Sequence, residues 1–222
     1  MIIMVKKDIV IFGAGGFGRE VMWLLEENNS DIETWNILGF VDDTPNFKGK
    51  VVNGFPIVGN TDWLIEYGKE LSVVCCIGNS KDRQSVIKKL QNNKNLKFPN
   101  IISKDARVSR LVSFGQGCII CGGSTLTVNI RLGDFLIVNL NCTVGHDAVL
   151  NKFVTLNPSV NVSGYVQIGN CSEIGTGSQI IQHTQIGCNT IVGAGAVVVK
   201  DLPSNCTAVG GPAKPIKYFK EV

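Results

Sequence analysis

Stepping by six from Ile102 meets an apolar residue every time as far as Val198. The series runs Ile102, Val108, Phe114, Ile120, Leu126 and onward through Val144, Leu150 and Leu156 to Val192 and Val198, seventeen positions without a gap. Chance fills one such frame with Ile, Leu, Val or Phe at a probability of about 10⁻⁸. A period of six suits neither an amphipathic helix nor an alternating strand. It suits a short flat strand and a turn, repeated, with the apolar residue on the axis. The next residue is often small, as at Gly133, Gly145, Ser163, Gly169, Gly175, Gly187 and Gly193. That small residue is expected to let the backbone bend. The pattern predicts a hexapeptide β-helix of three hexads per coil and about five coils. Ile181 interrupts the small positions.

The first hundred residues carry a different pattern. An apolar run at 8–12 leads into Gly13, Ala14, Gly15, Gly16, Phe17 and Gly18, a GxGxxG. Val21, Met22, Leu24 and Leu25 then recur at helical spacing, with Glu26 and Glu27 on the other face. A second apolar run, 37–41, ends in Asp42 and Asp43, and a third, 71–77, ends in Gly78 and Asn79 before a helical stretch over 81–90. The order strand, helix, strand, strand, helix predicts a small parallel sheet with ligands at the strand C-termini. The expected organisation is a Rossmann-like α/β half domain over residues 1–100 and an all-β parallel β-helix over 101–222, ending in a C-terminal tail.

Composition narrows the function classes. The chain has 222 residues, 44% hydrophobic and 18% charged, as expected of a globular protein. Its net charge of +3 comes without a basic stripe, so nucleic acid is not an expected partner. The opening residues become charged too early for a signal peptide, and no apolar run is long enough to span a bilayer. The expected compartment is therefore the cytoplasm, where the eight cysteines are thiols. Cys118 and Cys121 form a CxxC with no second pair at zinc spacing, and so read as small buried hydrophobes.

Three features carry candidate chemistry. The glycine-rich turn lets backbone N–H groups and a helix N-terminus face an anion. Asp42 and Asp43 could then receive donors of a ribose or base. Half of a dinucleotide fold suits a mononucleotide better than NAD. The third feature is His146. The chain has only two histidines, His146 and His183, so one chain cannot supply a three-histidine zinc site. His146 stands two residues past the axis residue Val144, points outward and is followed by Asp147. It is either a general base whose tautomer Asp147 sets, or a solvated turn residue. His183, 37 residues further on, reads as a solvated turn residue.

The stretches IFGAGGFGRE, GFVDD, IGNSKDR, GHDAVL and IVGAGAVVVKDLPSNCTAVGGPAKPIK together resemble the sialic acid O-acetyltransferase-type family of bacterial sugar acyltransferases. Within it the nearest likeness is to UDP-4-amino-sugar and GDP-perosamine N-acetyltransferases, over residues 8–217. The resemblance implies a left-handed β-helix that assembles as a homotrimer with sites between subunits. It implies transfer of acetyl from acetyl-CoA to a nucleotide-linked amino sugar, with no metal, His146 as general base and Asp147 as its partner. It implies nucleotide binding by Gly15, Gly16, Phe17, Asp42, Asp43 and Gly78, with Asn139 near the sugar. Acetyl-CoA would pass Thr155, Thr176 and Ala194, and Lys214 or Lys217, after Gly211, Pro212 and Ala213, would meet its phosphates. Relatives often carry a second histidine at position 155, where this chain has threonine. Acetylation of a sugar hydroxyl and a non-catalytic nucleotide-binding scaffold remain alternatives at this level.

Overall fold

The structure, a computed structural model, describes residues 6–45 and 49–219. The first five residues, part of the segment read against a signal peptide, lie outside this range. The chain divides into two compact units. One comprises the residues up to Gly78 together with Asp82–Lys104. The other comprises Asn79–Lys81 and the residues from Asp105 onward. Among the described residues no helix is long and apolar enough to cross a membrane.

In the first unit, β1 (Lys7–Phe12) is the buried centre of a six-stranded sheet. It pairs in parallel with β2 (Trp35–Val41) on one side and β5 (Leu71–Cys75) on the other. Strand order therefore reverses at β1, which is where an α/β sheet opens a crevice. The helix α1 (Gly16–Asp31) buries Val21, Met22, Leu24 and Leu25, as the spacing predicts. Gly18 is obligatory for its approach, because a Cβ there would run into the Gly13 carbonyl oxygen. Elements without a periodic signature complete the sheet. These are a hairpin of β3 (Val51–Val52) and β4 (Phe55–Gly59), a one-turn helix α2 (Thr61–Ile65) and a short β6 (Leu96–Lys97), whereas the helix α3 (Ser80–Leu90) is the one expected over 81–90.

Seventeen two-residue strands follow one another from Ile101–Ile102 to Val197–Val198, all but the first within the second unit. The second residue of each is one of the seventeen axis positions, and from Ile120 onward every one is buried. The strands stack in parallel on three faces with partners eighteen residues apart: Ile137 on Thr155, Thr143 on Asn161, Val149 on Gln167. Five complete coils and two sides of a sixth result, slightly more than the spacing suggested. The tail does not trail off. Cys206–Val209 adds to one face, and Lys214–Tyr218 folds back on it antiparallel.

The bend lies elsewhere than the small residues suggested. Every sixth residue from Gly117 to Gly195 has positive φ, and these corners lie three residues past the axis positions. Most are not glycine: Asn129, Phe135, Asn141, Asp147, Phe153 and Tyr165 are among them. A left-handed residue other than Gly costs roughly 1 kcal/mol, and from Phe135 onward each corner N–H bonds to the coil before it. Asp147 donates to the Val128 carbonyl at 3.0 Å and Tyr165 to that of His146 at 2.9 Å. The glycines after the axis positions serve stacking instead. A Cβ on Gly145 would stand 2.7 Å from the Gly164 amide nitrogen, and one on Gly169 2.5 Å from that of Cys188.

Seven of the eight thiols are buried, including both of the CxxC. Burial pushes Cys75, Cys118 and Cys142 up to about 11. Such thiols are protonated at neutral pH and poor nucleophiles. In the native protein a thiol reagent should therefore label at most Cys188 rapidly, and all eight after denaturation. Truncation of the fully buried Ile174 to Ala should cost about 2–5 kcal/mol in a denaturant melt, because the stacked coils cannot collapse into the gap.

Candidate active site

A residue in the solenoid meets the residues eighteen before and after it. His146 sits on the corner between the strands Thr143–Val144 and Val149–Leu150. Val144 fixes its direction by occupying the axis, and the imidazole projects outward, 55% exposed. Directly beneath lies Gly164, where a Cβ would be 2.6 Å from two atoms of the imidazole ring. The glycine at 164 is therefore what allows the ring to lie back along the corner.

The ring is held. His146 Nδ1 is 2.9 Å from Asp147 Oδ2. A carboxylate only accepts, so Nδ1 carries the proton and the neutral ring keeps its lone pair on Nε2. Asn129, one coil earlier, donates to the other carboxylate oxygen at 3.3 Å. The hydrogen bond from His146 holds the Asp147 carboxyl below its ordinary value, with smaller help from Asn129 and Tyr165. The pair is thus a fixed, outward imidazole with one basic nitrogen free to take a proton. His146 is an exposed turn residue, and one whose ring is tied to Asp147.

His183 is an exposed turn residue, as the sequence suggests, but its ring is not isolated. It lies in the same column of corners as Asn129, Asp147 and Tyr165, each eighteen residues from the next. Its ring stacks on Tyr165 with centroids 4.8 Å apart and planes 7° from parallel. Tyr165 in turn stands perpendicular to the His146 ring, 5.1 Å away. Tyr165 escaped the sequence reading because nothing marks it until the coil length is known. Counting eighteen from Asp147 would have found it.

The other solenoid candidates are spread over the prism. Thr155 begins a strand on the face that also carries Ile137, and is 4% exposed. Thr176 and Ala194 lie one above the other on the corner that follows that face, a different edge from that of His146. Asn139 follows an axis residue on this same corner, and its side chain accepts from the Leu140 N–H at 2.7 Å. Lys214 and Lys217 are exposed on the closing hairpin. One chain therefore does not gather the expected coenzyme residues around His146. Ile181 is 43% exposed, and the structure offers no reason for it in place of a small residue. Among the described residues no group of three or more His, Cys, Asp or Glu is disposed to hold a metal ion.

In the first unit, Gly15 caps α1, and Gly16 and Phe17 form its first turn, whose N–H groups have no helical acceptor. Asp42 is tied down at both oxygens, accepting from the Ala14 N–H at 2.7 Å and the Thr44 N–H at 2.8 Å. Asp43 accepts from the Thr61 N–H at 2.7 Å and its hydroxyl at 2.6 Å. Both acids thus brace loops, with one lone pair per oxygen left for a ligand. They border a cavity of about 280 Å³ walled by Thr44, Pro45, Val58, Asn60 and Trp63. The glycines of the first turn and Gly78 are not among its lining residues. Gly78 belongs to a turn held by the buried Arg83, whose guanidinium donates to the Ile77 carbonyl at 2.6 Å and the Gly78 carbonyl at 3.0 Å. Trp63, Asn60 and Arg83 went unnoticed in the sequence because no motif contains the first two and Arg83 closes IGNSKDR without a glycine to mark it.

Comparison with known proteins agrees over both units. The PglD N-terminal domain family matches residues 8–90. The chain is 34% identical over 164 residues to a GDP-perosamine N-acetyltransferase of Escherichia coli O157:H7, covering 71% of each. A histidine-to-asparagine variant of the Caulobacter crescentus perosamine N-acetyltransferase, solved with CoA and GDP-perosamine, superposes with a TM-score of 0.87 at 30% identity, covering 96% of this chain and 98% of that one. The acetyltransferase domain of Neisseria gonorrhoeae PglB, solved with acetyl-CoA, gives 0.85 at 32%, covering 96% and 100%. The solenoid is thus the left-handed β-helix of such acetyltransferases, joined to a Rossmann-like α/β region.

The contact between Gly164 and the imidazole yields a test. Gly164→Ala should push the ring off its place and lengthen the bond to Asp147. The Asp147 carboxyl then loses the interaction that lowers it, so its titration, read by side-chain ¹³C shifts, should move up toward the ordinary carboxylate value. The coil should melt as before, since only a surface ring has to move.

Proposed function

The chain belongs to the family of the perosamine-type amino-sugar N-acetyltransferases, and from that premise we propose that it moves the acetyl group of acetyl-CoA onto the amine of a nucleotide-linked sugar of the 4-amino-4,6-dideoxyhexose type. The observation that carries this reading is the His146–Asp147 pair, an exposed imidazole fixed with its basic Nε2 outward. As the amine nitrogen attacks the thioester carbon, Nε2 takes its proton. When the tetrahedral adduct collapses, the C–S bond breaks and the leaving thiolate receives that proton. The products are the amide and free CoA. Asp147 stays ionised and supports the imidazolium that forms in between. No cysteine is needed as an acyl carrier, in keeping with their burial.

The separation of Thr155, Thr176 and Ala194 from the edge of His146 supports a site completed by a second chain. Three prisms side by side would set one edge of each against another face of its neighbour, which is the homotrimer expected of the fold. Acetyl-CoA would then run in the groove between chains, its phosphates near Lys214 or Lys217, and the Thr155 hydroxyl would stand in for the second histidine as a hydrogen-bond donor. The cavity beside Asp42 and Asp43 suits a nucleobase against Trp63, and the open first turn of α1 suits a diphosphate. Nucleotide sugars and acetyl-CoA meet in the cytoplasm, where the product would feed assembly of a surface glycan.

His146→Ala should lower kcat by about 100-fold or more with an unchanged melting curve. Near-normal turnover would remove the imidazole from the mechanism. A thiol-release screen with UDP-, GDP- and dTDP-linked amino sugars should find the acceptor, and its product should survive mild alkali. A product that alkali cleaves would be an ester, and would move the assignment to sugar O-acetylation. No thiol release from any acceptor would leave a nucleotide-binding scaffold.

A further inference from the structure

The column of corners that starts at the catalytic pair continues past it. Asn129, Asp147, Tyr165 and His183 share one backbone conformation, φ between 58° and 62°. Such corners recur around the whole prism, so the conformation by itself marks nothing. The side chains do. On another corner the equivalent ladder is Phe135 on Phe153, 5.5 Å apart, 11° from parallel and buried, and it serves packing. The Tyr165–His183 ladder is exposed, Tyr165 by 48%, so burial of apolar surface does not account for it. What it does have is contact with His146 from two directions. The Tyr165 ring stands perpendicular to the imidazole, and its N–H holds the His146 carbonyl at 2.9 Å. His183 covers the tyrosine ring, and its own N–H holds the Gly164 carbonyl at 3.1 Å, beneath the imidazole.

We propose that Tyr165, backed by His183, is a positioning residue that confines the His146 imidazole to the orientation in which Asp147 holds Nδ1 and Nε2 faces the acceptor. An exposed histidine with Gly164 beneath it has room to swing, and only one hydrogen bond to Asp147 resists this. A perpendicular ring with its centroid 5.1 Å away limits that swing. The ring is the wall, and the hydroxyl adds the smaller part of helping to hold the Asp147 carboxylate. His183 acts only through Tyr165. The inference rests on His146 being the base, so its test includes a readout that does not need turnover.

Tyr165→Asn removes the wall while keeping a residue type that adopts the same corner conformation at Asn129, Asn141 and Asn189. It should lower kcat roughly tenfold, the size of one aromatic contact, with KM for both substrates within about twofold. Tyr165→Phe should stay within about threefold of the native enzyme. His183→Ala should cost a few-fold in the native background and nothing further beside Tyr165→Asn. With only two histidines in the chain, imidazole ¹⁵N spectra resolve both rings. Native His146 should show a single tautomer protonated at Nδ1, and Tyr165→Asn should show exchange between tautomers. An unchanged tautomer together with unchanged kcat in Tyr165→Asn overturns the proposal. So does a full additional loss from His183→Ala beside it. If His146→Ala retains turnover the base assignment falls, while the tautomer readout still decides whether Tyr165 confines the ring.

Discussion

Strands of two residues cannot hold a fold together through their own ladders. What holds this one is that the chain comes back over itself every eighteen residues, so each strand between the first and last coils is bonded on both sides. Thr143 and Gly145 donate forward to the carbonyls of Val160 and Val162, and Asp147 donates back to that of Val128. The corner with positive φ makes the return possible, and the aliphatic residue on the axis makes it favourable. Every other property follows from this closure. A side chain is placed by its number modulo eighteen, and its neighbours lie one coil away rather than beside it in sequence. In solenoids stability is carried by such nearest-neighbour interfaces.

The site is a consequence of that register. Residue 146 projects because 144 is on the axis. Asn129 reaches Asp147 because both occupy the same corner. Two glycines are then required for reasons a turn would not impose: Gly145 to let the next coil approach, Gly164 to let the imidazole lie back. The same register separates Thr155 and the Thr176–Ala194 column from His146 by a full edge of the prism. No movement within a rigid coil can join them, which is why the proposed site calls for a second prism.

The solenoid was legible in the sequence because one physical demand, an apolar residue on the axis, repeats without exception from Ile102 to Val198. The demand at the corner was not legible. Positive φ is met here by Asn, Asp, Phe, Ser, Tyr, Cys and His as well as Gly, so no residue type marks it. Assigning the bend to the glycines after the axis was therefore mistaken, although the glycines themselves were correctly singled out. In the first unit, GxGxxG and the strand–helix order announced the sheet. The β3–β4 hairpin and α2 were invisible, being too short for a period, and with them the wall that Trp63 gives to the cavity. The acids after β2 were visible as residues but not in their work, since Asp42 and Asp43 spend a hydrogen bond at each oxygen on bracing loops.

Thiol chemistry closes off the other route by which an acetyl group could be carried. A covalent path would need a cysteine that is ionised and reachable. Cys75, Cys118 and Cys142 are pushed up to about 11 by burial, and Cys206 is raised by the same cause. Cys188, the one half-exposed thiol, lies on the corner that follows Ile186, not on the corner of His146. The burial of the thiols thus accords with the proposed mechanism, in which the acceptor itself attacks the thioester. Direct attack places its whole demand on one proton transfer, and hence on how narrowly a single exposed imidazole is aimed. A site that works this way gains more from fixing one ring than from adding further groups, which is what Asp147, Gly164 and the Tyr165–His183 ladder have in common.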